Sequence, residues 1–188
     1  MEFSTCTERK LWQYVASELS KAGIETVLVG GAVVAVYSKG VYRSGDLDIV
    51  VNSYIQNDKL IARIMQNIGF IKEGRHWKRN DCKHLFIEFI KPPIAIGNDY
   101  EIKPNKMLVN EQELFILHPR DCVRDRLSSY VYFASAECLD QAALVAIAEN
   151  VDLNELQKWS KNEGPEMIKA LKELKQRVKS MQSQSTKK

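Results

Sequence analysis

Asp46-Leu47-Asp48 sets two carboxylates one residue apart. On a strand they share a face, because side chains alternate with period two, and their Cβ atoms lie roughly 7 Å apart. Carboxylates at that spacing can share or flank divalent cations, and Mg²⁺ is usually held by one or two carboxylates together with substrate phosphates. Gly30-Gly31 stands upstream, and a double glycine lets a backbone turn come close to phosphates. The pairing points to metal-dependent chemistry on a nucleotide.

A third acid, Glu88, interrupts the apolar run Leu85-Phe86-Ile87-Glu88-Phe89-Ile90. A lone acid on a core strand is costly unless it is ion-paired or metal-bound. Two readings stay open for it: an edge position or salt bridge to a nearby Arg or Lys, or a third ligand beside Asp46 and Asp48. Three carboxylates from two strands can hold two ions, one activating a hydroxyl and one neutralising a triphosphate and its leaving group.

These residues need strands to carry them. Residues 7–22 carry Leu11, Tyr14, Val15, Leu19 and Ala22 at helical spacing, with Thr7 as N-cap and Gly23 as stop. Thr26 to Val29 reads as a buried strand running into Gly30-Gly31, and Ala32 to Tyr37 as a short helix. After the loop Lys39 to Gly45, Asp46 to Val51 is a strand with its polar residues first. Gln56 to Ile68 is helical, Phe70 to Arg79 is a polar hairpin around Gly74, and Lys83 to Ile90 is a strand stopped by Pro92-Pro93. Short strand-like pieces follow at Tyr100 to Ile102, Met107 to Val109 and Leu114 to Leu117. From 119 onward strand alternation ceases and two to four helices are expected, with breaks near Asn150-Val151 and Gly164-Pro165.

In this order the residues resemble the nucleotidyltransferase superfamily of the DNA polymerase beta type. That pattern is an apolar strand, Gly-Gly or Gly-Ser, a short helix, Asp-x-Asp opening another strand, and an acid on a later strand. Here it reads Val27-Leu28-Val29-Gly30-Gly31, then Arg43-Ser44-Gly45-Asp46-Leu47-Asp48-Ile49-Val50, then Ile87-Glu88-Phe89. The chain looks most like the small bacterial minimal and abortive-infection-like members, over roughly residues 24–118.

The resemblance implies an α/β (α+β) fold, a mixed sheet flanked by helices and followed by a helical C-terminal part. The residue pattern itself, changing character after His118-Pro119 and turning polar from Ser180, divides the chain into an expected core at 1–118, helices at 119–179 and a disordered tail at 180–188. The resemblance implies transfer of an NMP from an NTP, ATP first among them, to an acceptor hydroxyl, with Mg²⁺ or Mn²⁺ as cofactor. Asp46 and Asp48 would bind both ions, and Glu88 would be the third ligand and would help deprotonate the acceptor. Gly30 and Gly31 would contact the triphosphate, with Arg43 and Ser44 as phosphate-side donors; Arg43 is equally readable as a solvated loop residue. The acceptor is open between RNA, protein and a small molecule such as an antibiotic. The alternative is a non-catalytic module of the same fold, antitoxin-like or regulatory, holding a protein partner through its C-terminal helices.

Rival uses of the acids fit less well. Haloacid-dehalogenase-like phosphatases also carry Asp-x-Asp, but at the C-terminal end of an apolar strand, whereas here the apolar residues follow the acids. Metal-dependent glycosyltransferases place theirs behind a longer nucleotide-sugar region. Neither explains Gly30-Gly31.

The other basic and aromatic segments read structurally as well as functionally. In Pro119-Arg120-Asp121-Cys122-Val123-Arg124-Asp125-Arg126, Asp121 is placed to cap a helix. Arg124 or Arg126 can either line the cleft or lace the helix with i,i+4 pairs. His76-Trp77-Lys78-Arg79 could stack a base, or bury one Trp in a hairpin. Trp159 reads as core of the helical part.

Composition bounds the rest. The 188 residues are 45% hydrophobic with net charge +3, which fits a globular domain with a real core and does not by itself mark a nucleic-acid binder. From Lys169 onward seven Lys/Arg stand against one Glu, a stretch that could meet phosphates or simply be a solvated helix end. The four cysteines are scattered, and Cys82-x-His84 has no second pair at finger spacing. With no apolar leader and no stretch near ~18 apolar residues, a cytoplasmic protein with reduced thiols and no membrane contact is expected.

Overall fold

The computed structural model describes residues 2–52 and 54–185. The elements in chain order are α1 (Glu8–Lys21), β1 (Thr26–Val29), α2 (Gly31–Tyr37), β2 (Asp46–Val51), α3 (Tyr54–Asn67), β3 (Ile71–Glu73) and β4 (His76–Arg79). They continue with β5 (Cys82–Ile90), β6 (Asn105–Val109), β7 (Gln112–Ile116), α4 (Pro119–Tyr132), α5 (Glu137–Ala148), α6 (Leu156–Glu163) and α7 (Pro165–Ser185). The fold is mixed α/β: the strands form one seven-stranded sheet in the order β3-β4-β5-β2-β1-β7-β6, with the helices flanking it.

Local chemistry explains the element ends. Thr7 caps α1, its hydroxyl accepting from Lys10 N at 3.3 Å, and Leu11, Trp12, Val15 and Leu19 of α1 are buried. The central strands show the period of two directly. Leu47, Ile49 and Val51 of β2 and Leu85, Ile87 and Phe89 of β5 are buried, while Asp46, Asp48, Phe86, Glu88 and Ile90 are half-buried on the opposite face. At the centre of the sheet β2 runs antiparallel to β1 and parallel to β5.

Three expectations are corrected. Tyr100 to Ile102 is not a strand: Asp99 Oδ1 accepts from Glu101 N at 2.9 Å, a local turn that diverts the backbone from a ladder, and Pro104 follows. Asp121 does not cap α4. With Pro119 at the first helical position, the cap falls on His118, whose Nδ1 accepts from Arg120 N at 3.3 Å. Arg124 is laced into α4 not by an i,i+4 pair but by an i,i+3 bond to Asp121, 2.9 Å apart. Four helices follow residue 118, within the expected two to four. α7 continues through Ser185, past Ser180 where the tail is drawn in the sequence, and Arg177 in that basic stretch ties α7 to Asp140 of α5 at 2.5 and 2.9 Å. The apolar core is continuous across residue 118, including Leu28, Ile49 and Ile87 together with Leu127, Val145 and Leu171. Among the described residues no helix is long and apolar enough to cross a membrane.

The start of α1 is tied to the loop before β2. Glu8, only 2% exposed, accepts from Ser44 N at 2.9 Å and from Arg43 Nε at 2.8 Å. Removing a buried acceptor strands its donors, which costs about 1–3 kcal/mol. Glu8→Ala is therefore expected to lower unfolding free energy by that amount in urea titration, with an unchanged m-value.

Candidate active site

The site is built on the register between β2 and β5. In this parallel pair Asp46 lies opposite Phe86 and Asp48 opposite Glu88, so Asp48 and Glu88 are neighbours on one face and Asp46 is two residues along it. On the other flank of β2, antiparallel β1 sets Val29 opposite Asp48, and the chain then turns at Gly30. Gly30 has φ +70°, and a Cβ there would meet Asp48 Oδ2 at 2.5 Å. Only glycine satisfies both the dihedral and the approach. A Cβ on Gly31 would come within 3.1 Å of Ser44 Oγ, so the Gly-Gly turn, Ser44 and Asp48 are in direct neighbourhood.

Each acid has a different company. Ser44 Oγ donates to Asp46 Oδ1 at 2.8 Å, which fixes one carboxylate oxygen. Asp48 is pushed up from 3.8 to about 6, first by burial and then by the charges of Asp46 and Glu88, with Arg126 pulling the other way. Glu88 faces the β3–β4 hairpin: its Oε2 lies 3.2 Å from Arg75 Nε and 3.5 Å from His76 Nε2, and the His76 ring rests on Phe86 at 4.4 Å. The salt-bridge reading of Glu88 and its position beside the aspartates thus hold together.

Arg43 is brought elsewhere. Its Nε is on Glu8, and it is Ser44 rather than Arg43 that reaches the acids. Arg124 is buried between Asp121 and Asp99, at 2.9 and 2.6 Å, with its guanidinium over Trp159 at 4.9 Å; it braces α4. Arg126 is the arginine of α4 whose charge reaches Asp48. It is held by Asp125 Oδ2 at 2.6 and 3.0 Å and by Gln141 Oε1 at 3.3 Å. Trp77 is buried in the hairpin.

Sequence reasoning does not single out Tyr42 or Arg75, and it reads His76 only as part of a segment that stacks a base or buries a Trp, not as a partner of Glu88. Tyr42 Oη lies 3.5 Å from the position a Gly31 Cβ would take, and burial raises its pKa. The signal for His76 is its register partner, Glu88, which exists only once β4 and β5 are paired.

The donor set suits a hard divalent cation. Carboxylate oxygens are the ligands Mg²⁺ and Mn²⁺ prefer, and mutual repulsion among the three carboxylates is what a bound cation relieves. The arrangement offers a side-chain-free turn, a hydroxyl donor and three acids on one face, which can hold metal and phosphate side by side.

No protein-family model matches the sequence, and no curated protein matches it. Solved structures do match. An antigenic nucleotidyltransferase-like protein from Paracoccidioides brasiliensis superposes with TM-score 0.62 at 16% identity, over 94% of this chain and 90% of its own. The antibiotic-resistance factor ANT(2'')-Ia matches as a solution structure, with TM-score 0.51 at 8% identity over 95% of this chain and 97% of its own. It also matches as a crystal complex with adenylyl-2''-tobramycin, with TM-score 0.54 at 10% identity over 89% and 97%. At such identities the likeness is one of architecture, and fold and function are separate matters: this chain has the nucleotidyltransferase fold.

Proposed function

We propose that the chain is a divalent-metal-dependent nucleotidyltransferase that moves an NMP from an NTP, ATP first among them, to an acceptor hydroxyl and releases pyrophosphate. The observation that carries this reading is the β2–β5 register, with Glu88 beside Asp48 and Asp46 on the same face. Asp46 and Asp48 would hold both ions and Glu88 the third ligand position. Mg²⁺ or Mn²⁺ there would neutralise triphosphate charge and acidify the acceptor hydroxyl.

The chain's own residues position the rest. Gly30-Gly31 admits the triphosphate where a side chain on Gly30 would collide with Asp48 and one on Gly31 would crowd Ser44. Ser44 orients Asp46. Arg43, whose Nε is held by Glu8, would meet phosphate through its terminal guanidinium nitrogens. In the transfer step the acceptor oxygen bonds to the α-phosphorus and the bond to the α,β-bridging oxygen breaks. Pyrophosphate departs with that electron pair, and the acceptor proton passes to Glu88. Chemistry of this kind rests on positioning and electrostatics rather than a protein nucleophile.

For the acceptor, the adenylyl-2''-tobramycin bound by ANT(2'')-Ia favours a small hydroxyl-bearing molecule over RNA or protein. The second reading, a non-catalytic module of this fold that holds a protein through its C-terminal helices, is favoured by one observation: Arg75 and His76 already pair with Glu88. Arg75 is 75% exposed, so its release costs little, which keeps the catalytic reading ahead.

Incubation with labelled NTPs, Mg²⁺ or Mn²⁺ and a panel of hydroxyl acceptors, aminoglycosides included, is expected to give NMP transfer that EDTA abolishes and added metal restores. Asp46→Ala and Asp48→Ala are each expected to reduce transfer at least ~100-fold and to remove the thermal stabilisation by NTP plus metal. Absence of both transfer and metal-dependent stabilisation in the unmutated protein gives the second reading the field.

Asp48 makes this binding pH-dependent. A carboxyl raised above its ordinary value favours the native state when protonated. That contribution is complete below pH 3.8 and is lost as pH rises through about 6. Metal needs the ionised form, so Mn²⁺ affinity is expected to fall as pH drops through about 6. Without metal, Asp48→Asn is expected to melt above the unmutated protein at pH 8, the difference vanishing towards pH 4. A pH-independent difference would show that Asp48 does not titrate in this range.

A further inference from the structure

A second cluster of ligand atoms lies at the other end of β5, and the catalytic reading makes no use of it. Cys6, in the segment before α1, has its Sγ 3.5 Å from Cys82 Sγ, and Nε2 of His84 donates to the Cys6 carbonyl oxygen at 2.8 Å. One ligand atom from each of Cys6, Cys82 and His84 lies within 4.8 Å of the other two. Both cysteines are free and buried, 2% and 1% exposed, while His84 is open to solvent. We propose that Cys6, Cys82 and His84 bind one thiophilic divalent ion, Zn²⁺ foremost, with a solvent molecule as fourth ligand, and so staple the N-terminal segment to β5.

The ligand types select the metal class. Two sulfurs and an imidazole favour Zn²⁺ over Mg²⁺, whereas the all-oxygen set of Asp46, Asp48 and Glu88 has the opposite preference. Charge balances as well: M²⁺ replaces two thiol protons, leaving a neutral unit of one cation and two thiolates. Burial pushes the Cys82 thiol up to about 12, and a coordinating thiol is deprotonated by the metal itself.

The scaffold is already in place. β5 is irregular at this end, its pairing with β4 shifting between Trp77↔Ile87 and Arg79↔Cys82, which frees Cys82 and His84 from strict alternation. The N-terminal segment is pinned beside it, with the Arg79 guanidinium over the Phe3 ring at 3.7 Å. Two residues beyond Cys6, Glu8 holds Ser44, and Ser44 holds Asp46. Six residues beyond Cys82 stands Glu88. An ion here joins the two stretches of chain from which the acids of the candidate site are held.

The test uses the full chain, purified without chelator, and reconstituted with Zn²⁺ or Co²⁺ alone under reducing conditions. About one equivalent of Zn²⁺ is expected by elemental analysis, with a thiolate-to-cobalt charge-transfer band in the Co²⁺ form, a signal carboxylates do not give. Cys6→Ser and Cys82→Ser are expected to lose the band and the zinc-dependent rise in melting temperature. His84→Ala, at an exposed position that does not threaten folding, is expected to weaken Zn²⁺ at least roughly tenfold. Asp46→Ala is expected to keep the band. The proposal is overturned if neither ion binds, if the Cys6→Ser/Cys82→Ser double variant keeps the band, or if the isolated protein carries a Cys6–Cys82 disulfide that excludes metal.

Discussion

Like-charge repulsion among Asp46, Asp48 and Glu88 is the constraint that the centre of the molecule is arranged around. Side chains directly opposed on neighbouring strands sit about 5 Å apart. Two carboxylates at that distance repel by roughly 3 kcal/mol at the effective dielectric of a partly buried site. The chain answers the repulsion separately for each acid. Ser44 donates to Asp46, the β3–β4 hairpin brings Arg75 and His76 to Glu88, and α4 brings the charge of Arg126 towards Asp48. These three supports come from a loop, a hairpin and the first helix after residue 118. The elements around the sheet are therefore linked through the acids as well as through the apolar core.

Asp48 carries what the three supports leave uncompensated. Gly30 is packed so closely on it that a Cβ there would meet its Oδ2 at 2.5 Å, and its carboxyl is held up at about 6. A side chain on residue 30 is therefore excluded from the approach to Asp48, which leaves bare backbone beside its carboxyl.

Much of this was legible from residue order. Asp46-Leu47-Asp48 and Glu88 lie on the strands expected of them, and Gly30-Gly31 forms the expected turn after β1, because period-two alternation and glycine stops are local properties. What was not legible depends on pairing. His76 matters because β4 sets it opposite Glu88. Arg124 is taken by Asp99, distant in sequence, while the charge of Arg126 is felt at Asp48. Arg43 turns from the acids because Glu8 claims it. Tyr100 to Ile102 has strand composition, but an Asx-type bond from Asp99 diverts its backbone. Each miss involves a partner many residues away, or a side chain competing for the backbone, and neither leaves a periodic trace.

The helices after residue 118 belong to this arrangement and not to a separate body. Arg124 is 6% exposed and bonded to both Asp121 and Asp99, so α4 is locked against the segment that follows β5. Breaking a buried pair of this kind leaves an uncompensated charge, which is far costlier than losing a surface pair. That lock fixes the rotation of α4, and with it the direction of Asp125 and Arg126, two residues further on. Arg177 and Asp140 then tie α7 to α5, and Arg126 bonds Gln141 of α5. The orientation of α4, and with it the position of the Arg126 charge felt at Asp48, is thus tied to packing over the C-terminal part.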